Sequence, residues 1–400
     1  LFFCHYGIKD AEKEAKMAIK RRFFQEPPQS FFLFGPRGTG KSTWVKQNIK
    51  KALYIDLLAA DVFRSYSARP ERLREIAEAR RETETIVIDE IQKIPELLDV
   101  VHQLMEQHKK WRFILTGSSA RKLKRTGVDL LAGRALTKAL HPFMAAELGD
   151  EFSLEKALTL GLVPLVNDAP SPAETLKSYS ALYLIEEVQA EGLVRNIGTF
   201  SRFLESASFS HGSILNVTEV ARECQIARKS AEGYFSILED LLLAFRVPIF
   251  VKRARRHLSS HPKFYYFDAG VFRSIRPAGP LDAPAEIDGA ALEGLVAQHL
   301  RAWISYSGDY CNLYFWRTKS GNEVDFVVYG EGTFYALEVK NTTKLNSKSV
   351  SGLMAFKEDY PESQACLLYR GQDRIKIKGI LCIPCIEFLK NLIPGRPMRL

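Results

Sequence analysis

The stretch SFFLFGPRGTGKSTWVKQNIKKAL, residues 30–53, constrains the fold more than any other. Phe31 to Phe34 are an apolar run that predicts a buried strand. The pattern G-x-x-x-x-G-K-S/T follows, running from Gly35 to Gly40, Lys41 and Ser42, and a helical pattern starts at Lys41. Glycines let backbone N–H groups turn inward around phosphate oxygens with no Cβ in the way. The helix N-terminus adds partial positive charge. Gly35, Pro36, Arg37, Gly38, Thr39, Gly40, Lys41, Ser42 and Thr43 are therefore the expected phosphate cradle. Lys41 would reach the β- and γ-phosphates, and Ser42 would ligate Mg²⁺.

Two further strand-like runs carry matching chemistry. In TETIVIDEIQKIP, Thr85 to Ile88 predict a strand that ends in Asp89 and Glu90. Asp89 there can hold Mg²⁺, and Glu90 can polarise an attacking water. In WRFILTGSSARK the strand ends in small hydroxyl residues. Ser118 is the first candidate to sense the terminal phosphate, and Thr116 is the second. The bland alternatives are surface acids and a helix-capping loop. Helical patterns such as ERLREIAEARR and PELLDVVHQLMEQHKK separate the strands. Alternation of this kind predicts a mostly parallel sheet covered on both faces, with its ligand at the C-terminal strand ends.

These three segments resemble the Walker A, Walker B and sensor-1 segments of AAA-type P-loop ATPases. DLLAGRALTKALHPF resembles a landmark of a prokaryotic branch of that superfamily, in which Leu-x-Gly-Arg precedes the last core strand. The resemblance makes Arg134 an arginine finger or a sensor arginine, with Arg121 as runner-up. A plain ion pair inside its own domain is the competing reading for Arg134.

Residues 146–210 read as helical, a lid or a packing layer. In ILNVTEVARECQIARKSAEGYFSILEDLLLAFRVPIF, Asn216 or Thr218 can cap a helix running to Cys224. A turn, a second helix and then the strand and basic ribbon VPIFVKRARRH follow, and the order resembles a winged helix. In a DNA binder Arg228, Lys229, Lys252, Arg253, Arg255 and Arg256 would meet phosphates. The other reading is a structural lever with a solvated hairpin. Asp268, in FYYFDAG, reads as a structural turn residue.

The last segment gives the helix IDGAALEGLVAQHLRAW, bearing Glu293, and three strands in YFWRTKSGNEVDFVVYGEGTFYALEVKN. Alternation puts Glu323 and Asp325 on one face, and Glu338 and Lys340 on one face. A helix acid, a strand Asp and Glu-x-Lys resemble the PD-(D/E)xK arrangement of a restriction-endonuclease-like fold. That resemblance implies Asp325 and Glu338 as ligands of Mg²⁺ or Mn²⁺, with Glu293 and Lys340 completing the catalytic set. An ordinary hairpin with paired charges on its wet face is the alternative.

The expected fold class is α/β: a P-loop parallel sheet, a winged-helix module and a C-terminal nuclease-like α/β domain. The boundaries read as an arm at 1–29, an ATPase core at 30–145, a lid or connector at 146–210, a winged-helix domain at 211–285 and the nuclease-like domain at 286–400. The resemblance spans nearly everything from Arg21 onward. A length of 400 residues suits several domains, and a net charge of +9 suits an anionic partner such as DNA and a merely soluble basic surface equally well. The six cysteines, Cys4 among them, follow no framework spacing, which predicts reduced thiols and a cytoplasmic protein. Cys382 and Cys385 have redox-motif spacing but read better as small hydrophobes. The N-terminus makes a poor signal peptide, and no apolar run is long enough to span a bilayer. Two readings remain open. One is an ATP-driven DNA-processing enzyme, which can work as a homo-oligomer. The other is a nucleotide-dependent switch whose last domain binds nucleic acid or protein without cutting. A small-molecule kinase is disfavoured, because Asp89-Glu90 suits water activation.

Overall fold

The computed structural model describes residues 20–80, 84–108, 110–119, 123, 131–190, 194, 196–251, 261–280, 282–308, 310–398 and 400. Arg121, residues 252–256 and Cys4 lie outside the described residues.

The first sheet contains β1 (Phe31–Phe34), β2 (Leu53–Asp56), β3 (Thr85–Asp89), β4 (Arg112–Gly117) and β5 (Leu136–Ala139). Its order is β2-β3-β4-β1-β5, and every pairing is parallel. The period-2 alternation of β1 explains both covering layers. Phe32 and Phe34 face a cluster built on Leu97, Val101 and Leu104 of the helix Leu97–Gln107. Phe31 and Leu33 face Trp44 and Val45 of the helix Lys41–Asn48. β1 lies between β4 and β5, so the loop after it opens between those two strands.

Helices occupy most of residues 154–190 and then Ile197–Ser208, with Ser153 and Asn196 capping two of them through their side chains. Next come β6 (Ser213–Ile214), helices Val217–Glu223 and Arg228–Asp240, β7 (Ala244–Val247) and β8 (Lys263–Tyr266). The three strands form an antiparallel sheet in the order β6-β8-β7. Asn216 is the residue that caps the first helix, its side chain accepting from Glu219 N–H. The expected strand at VPIF is divided. Its Val247 ends β7, whereas Pro248 and Phe250 exchange backbone hydrogen bonds with Phe315 of the last sheet. Asp268 is fully buried and caps the helix Ala269–Ile275, accepting from Gly270 and Val271 N–H at 3.0 and 3.1 Å. It also accepts from Leu162 N–H at 2.7 Å, tying that helix to the connector.

The helix Pro284–Ser307 leads into β9 (Cys311–Arg317), β10 (Glu323–Gly330), β11 (Thr333–Lys340), β12 (Gln364–Tyr369), β13 (Ile375–Ile377) and β14 (Ile380–Pro384). The sheet order is β13-β14-β12-β11-β10-β9. β10 runs antiparallel to both β9 and β11, whereas β11, β12 and β14 are parallel. Cys366, Cys382 and Cys385 are free and buried, and burial pushes the Cys366 and Cys385 thiols up to about 12. At that pKa they are unreactive core residues. One apolar cluster runs from Phe143 through the middle helices to Met398, so the connector, the small sheet and the last domain share a core.

Candidate functional site

The P-loop glycines have separate reasons to be there. Gly38 and Gly40 have φ of 81° and 88°, a region open to glycine. A Cβ on Gly35 would lie 2.5 Å from the carbonyl oxygen of Leu140. Lys41 is buried, and its ammonium donates to the carbonyls of Gly35 at 2.7 Å and Pro36 at 3.2 Å. Burial pulls its pKa down.

β3 delivers its acids to this loop. The Ser42 hydroxyl donates to Asp89 Oδ1 at 3.1 Å, and the Thr116 hydroxyl donates to the same oxygen. The Tyr54 hydroxyl donates to Asp89 Oδ2 at 2.5 Å. Three hydroxyls on one buried carboxylate fix its orientation. Glu90 has φ 63° and ψ 46°, the left-handed region, which is strained for a non-glycine residue. Its N–H donates to Thr116 Oγ1 at 3.2 Å. Gln92 Nε2 donates to Glu90 Oε2 at 2.5 Å and to Ser118 Oγ at 3.1 Å. Burial pushes the Glu90 carboxyl up, and the charge of Lys41 opposes the shift.

The structure therefore brings together Gly35 to Ser42, Asp89, Glu90, Thr116 and Ser118. It ranks the two sensor candidates differently from the sequence: Thr116 touches Asp89 and Glu90, and Ser118 reaches Glu90 only through Gln92. Tyr54 and Gln92 were missed. Gln92 sits two places after Glu90, and Tyr54 is one of several aromatic strand residues, so neither stands out in the sequence. A donor set of one hydroxyl and one carboxylate at the mouth of the loop fits Mg²⁺.

Other segments clamp the loop. Leu165 N–H donates to Gly38 O at 3.1 Å, and the Tyr179 hydroxyl donates to Arg37 O at 2.9 Å. The Arg37 guanidinium lies over the Tyr183 ring and 3.6 and 3.7 Å from Glu186 and Glu187. Buried Arg22 donates to Thr39 O at 3.0 Å and to Glu147 at 3.2 Å. Nothing in KRRFF marks Arg22 for this contact.

Arg134 lies elsewhere. It precedes β5, and its guanidinium is 2.5 Å from Glu106, near the end of the helix Leu97–Gln107. Leu136 N–H donates to Ser30 O, just before β1 begins. Arg134 is thus at the sheet edge where β1 starts, and the P-loop is at the edge where β1 ends. The sensor role toward the chain's own nucleotide does not fit this placement.

The C-terminal acids do converge, but on a lysine. Lys263 Nζ of β8 is 3.0 Å from Glu293 Oε1, 2.6 Å from Glu323 Oε1 and 3.1 Å from Asp325 Oδ1. Asp325 Oδ2 accepts from Val339 N–H at 2.9 Å. Lys340 Nζ pairs with Glu338 Oε1 at 2.6 Å, and the Tyr265 hydroxyl donates to Glu293 Oε1 at 2.6 Å. Burial, reinforced by the charge of Asp325, pushes the Glu293 and Glu338 carboxyls up. Among the described residues no group of three or more His, Cys, Asp or Glu side chains is arranged to hold a metal ion. The expected metal ligands Asp325 and Glu338 are adjacent, yet each meets an ammonium, Asp325 that of Lys263 and Glu338 that of Lys340.

Three family models match consecutive segments: an AAA domain over residues 28–149, a domain of unknown function (DUF8612) over 151–282 and a domain of unknown function (DUF4143) over 288–388. Residues 28–149 are an AAA-type P-loop domain. The chain is 26% identical over 313 residues to an uncharacterized protein of Mycobacterium tuberculosis, covering 76% of this chain and 69% of that one. The same figures hold for an uncharacterized protein of Mycobacterium bovis. Among solved structures, a replication initiator DnaA bound to AMPPCP and single-stranded DNA is 14% identical with a TM-score of 0.25, covering 53% of this chain and 82% of that one. At that overlap the likeness adds nothing to the geometry above. Among the described residues no helix is long and apolar enough to cross a membrane.

Proposed function

We propose that the chain binds and hydrolyses ATP at the loop Gly35–Thr43. The carrying observation is the junction of Ser42, Asp89 and Thr116 beside a strained, half-buried Glu90. Backbone amides of Gly38 to Ser42 orient the phosphates, and Lys41 leaves its own loop carbonyls to meet them. Ser42 and Asp89 would hold Mg²⁺, which when bound neutralises charge on the β- and γ-phosphates. Glu90 takes a proton from the attacking water, helped by a carboxyl that burial has made more basic. Thr116 holds Asp89 and the Glu90 backbone in place, and Gln92 links Glu90 to Ser118. Arg134 acts, on this reading, as a finger toward a neighbouring copy in a homo-oligomer.

The same reading gives the protein a cytoplasmic role on DNA, through a winged helix at 211–285. The net charge of +9 and the exposed Arg228 and Lys229 support that role. For the C-terminal domain two readings compete, a metal-dependent nuclease and a non-cutting domain that binds nucleic acid or protein. The carboxylates already engaged by Lys263 favour the second. Steady-state ATPase assays test the first site: Asp89→Asn should lose at least about 100-fold in rate. Turnover by Asp89→Asn within threefold of the parent would refute it.

A further inference from the structure

Lys263 belongs to β8 of the small middle sheet, and Asp325 stands 62 residues further along in another domain. The lysine side chain is only 3% exposed. An ammonium has three N–H groups and no acceptor. Here it meets three carboxylate oxygens, from Glu293, Glu323 and Asp325, at 3.0, 2.6 and 3.1 Å. Mg²⁺ asks for oxygen ligands at about 2.0–2.1 Å around one point. The point on which these oxygens converge is the position of Nζ, and two cations cannot share it.

Oxygens on three of the neighbouring carboxylates are also engaged. Asp325 Oδ2 takes the Val339 N–H, Glu323 Oε2 is 3.5 Å from Arg317, and Glu338 is held by Lys340. We propose that Lys263 is a resident cation substituting for the divalent ion of this carboxylate cluster, closing the last domain to metal and locking it to the middle module. The class of ligand it displaces is an oxygen-seeking divalent cation. A domain so arranged has no metal with which to activate water, yet keeps the scaffold of one that would. The inference stands apart from nucleotide hydrolysis, because none of these residues touches the P-loop constellation.

The test is Mn²⁺ binding by the full chain without nucleotide, read from the electron-paramagnetic signal of free Mn²⁺. Binding that depends on Asp325 is isolated by comparison with Asp325→Asn. The parent chain should show none. Lys263→Met should gain about one Mn²⁺ per chain, and adding Asp325→Asn should abolish the gain. Asp325-dependent Mn²⁺ binding by the parent would overturn the proposal, as would a folded Lys263→Met that gains no ion. Should Lys263→Met fail to fold, the parent decides through its melting temperature: an Mn²⁺-induced rise lost in Asp325→Asn overturns the proposal, and no such rise supports it.

Discussion

Replacing Glu90 with glutamine removes a charge and leaves almost everything else. Glutamine can accept the same hydrogen bond from Gln92 through its side-chain carbonyl. It pays the same backbone strain, about 1 kcal/mol at φ 63°, so stability should not move. Hydrolysis should, because a positioned general base contributes about 10²- to 10⁴-fold. Affinity should hold or rise. The lost negative charge interacts with Lys41 and opposes the incoming phosphates, and about 1.4 kcal/mol of relief would tighten binding about tenfold. The assay pairs single-turnover phosphate release with equilibrium binding of a fluorescent ATP analogue. A fall in hydrolysis of 100-fold or more with retained binding is expected. Hydrolysis within threefold of the parent would show that Glu90 is not the base.

Four other outcomes follow from the same geometry. Gly117→Ala would bring a Cβ within 2.5 Å of Gln92 Oε1 and push that side chain off Glu90; phosphate release should slow by about tenfold with unchanged nucleotide binding. Asp268→Ala strands the N–H groups of Leu162, Gly270 and Val271 in the core, and should cost about 3–5 kcal/mol in denaturant unfolding. His299 accepts from Ala145 N–H and is bonded to Leu295 O, and burial holds its pKa down at about 4 against an ordinary 6.5. The unfolded chain binds the proton first, so its contribution of roughly 3 kcal/mol is complete above pH 6.5 and lost as pH falls toward 4; the slope of melting temperature against pH over that window should shrink in His299→Gln. Arg134→Ala should cost under about 1 kcal/mol of stability, and mixing it with Glu90→Gln protomers should restore ATP turnover if Arg134 serves a neighbour.

The first domain was largely legible because its chemistry is local. Strand, loop and helix follow one another within residues 30–53, and β3 and β4 carry their acid and hydroxyl at their ends. What the sequence concealed are contacts made across the chain. Lys263 reads as an unremarkable residue of HPKFYYF, and only folding brings it to acids in another domain. Arg22 and Tyr54 are hidden for the same reason. Arg134 shows the reverse: a motif pointed to the nucleotide, and the direction of β5 puts the residue at the opposite edge of the sheet. The strand expected at VPIF failed because its apolar residues serve two sheets, β7 through Val247 and β9 through Phe250. Alternation reports burial and does not name the neighbour.

The most direct test is equilibrium titration of the full chain with a fluorescent ATP analogue and Mg²⁺, beside Lys41→Ala. Saturable binding by the parent, weakened at least about 30-fold in the variant by loss of the charge-assisted bonds to phosphate, is the expected result. Equal affinity in the two proteins, or no binding by either, would contradict it.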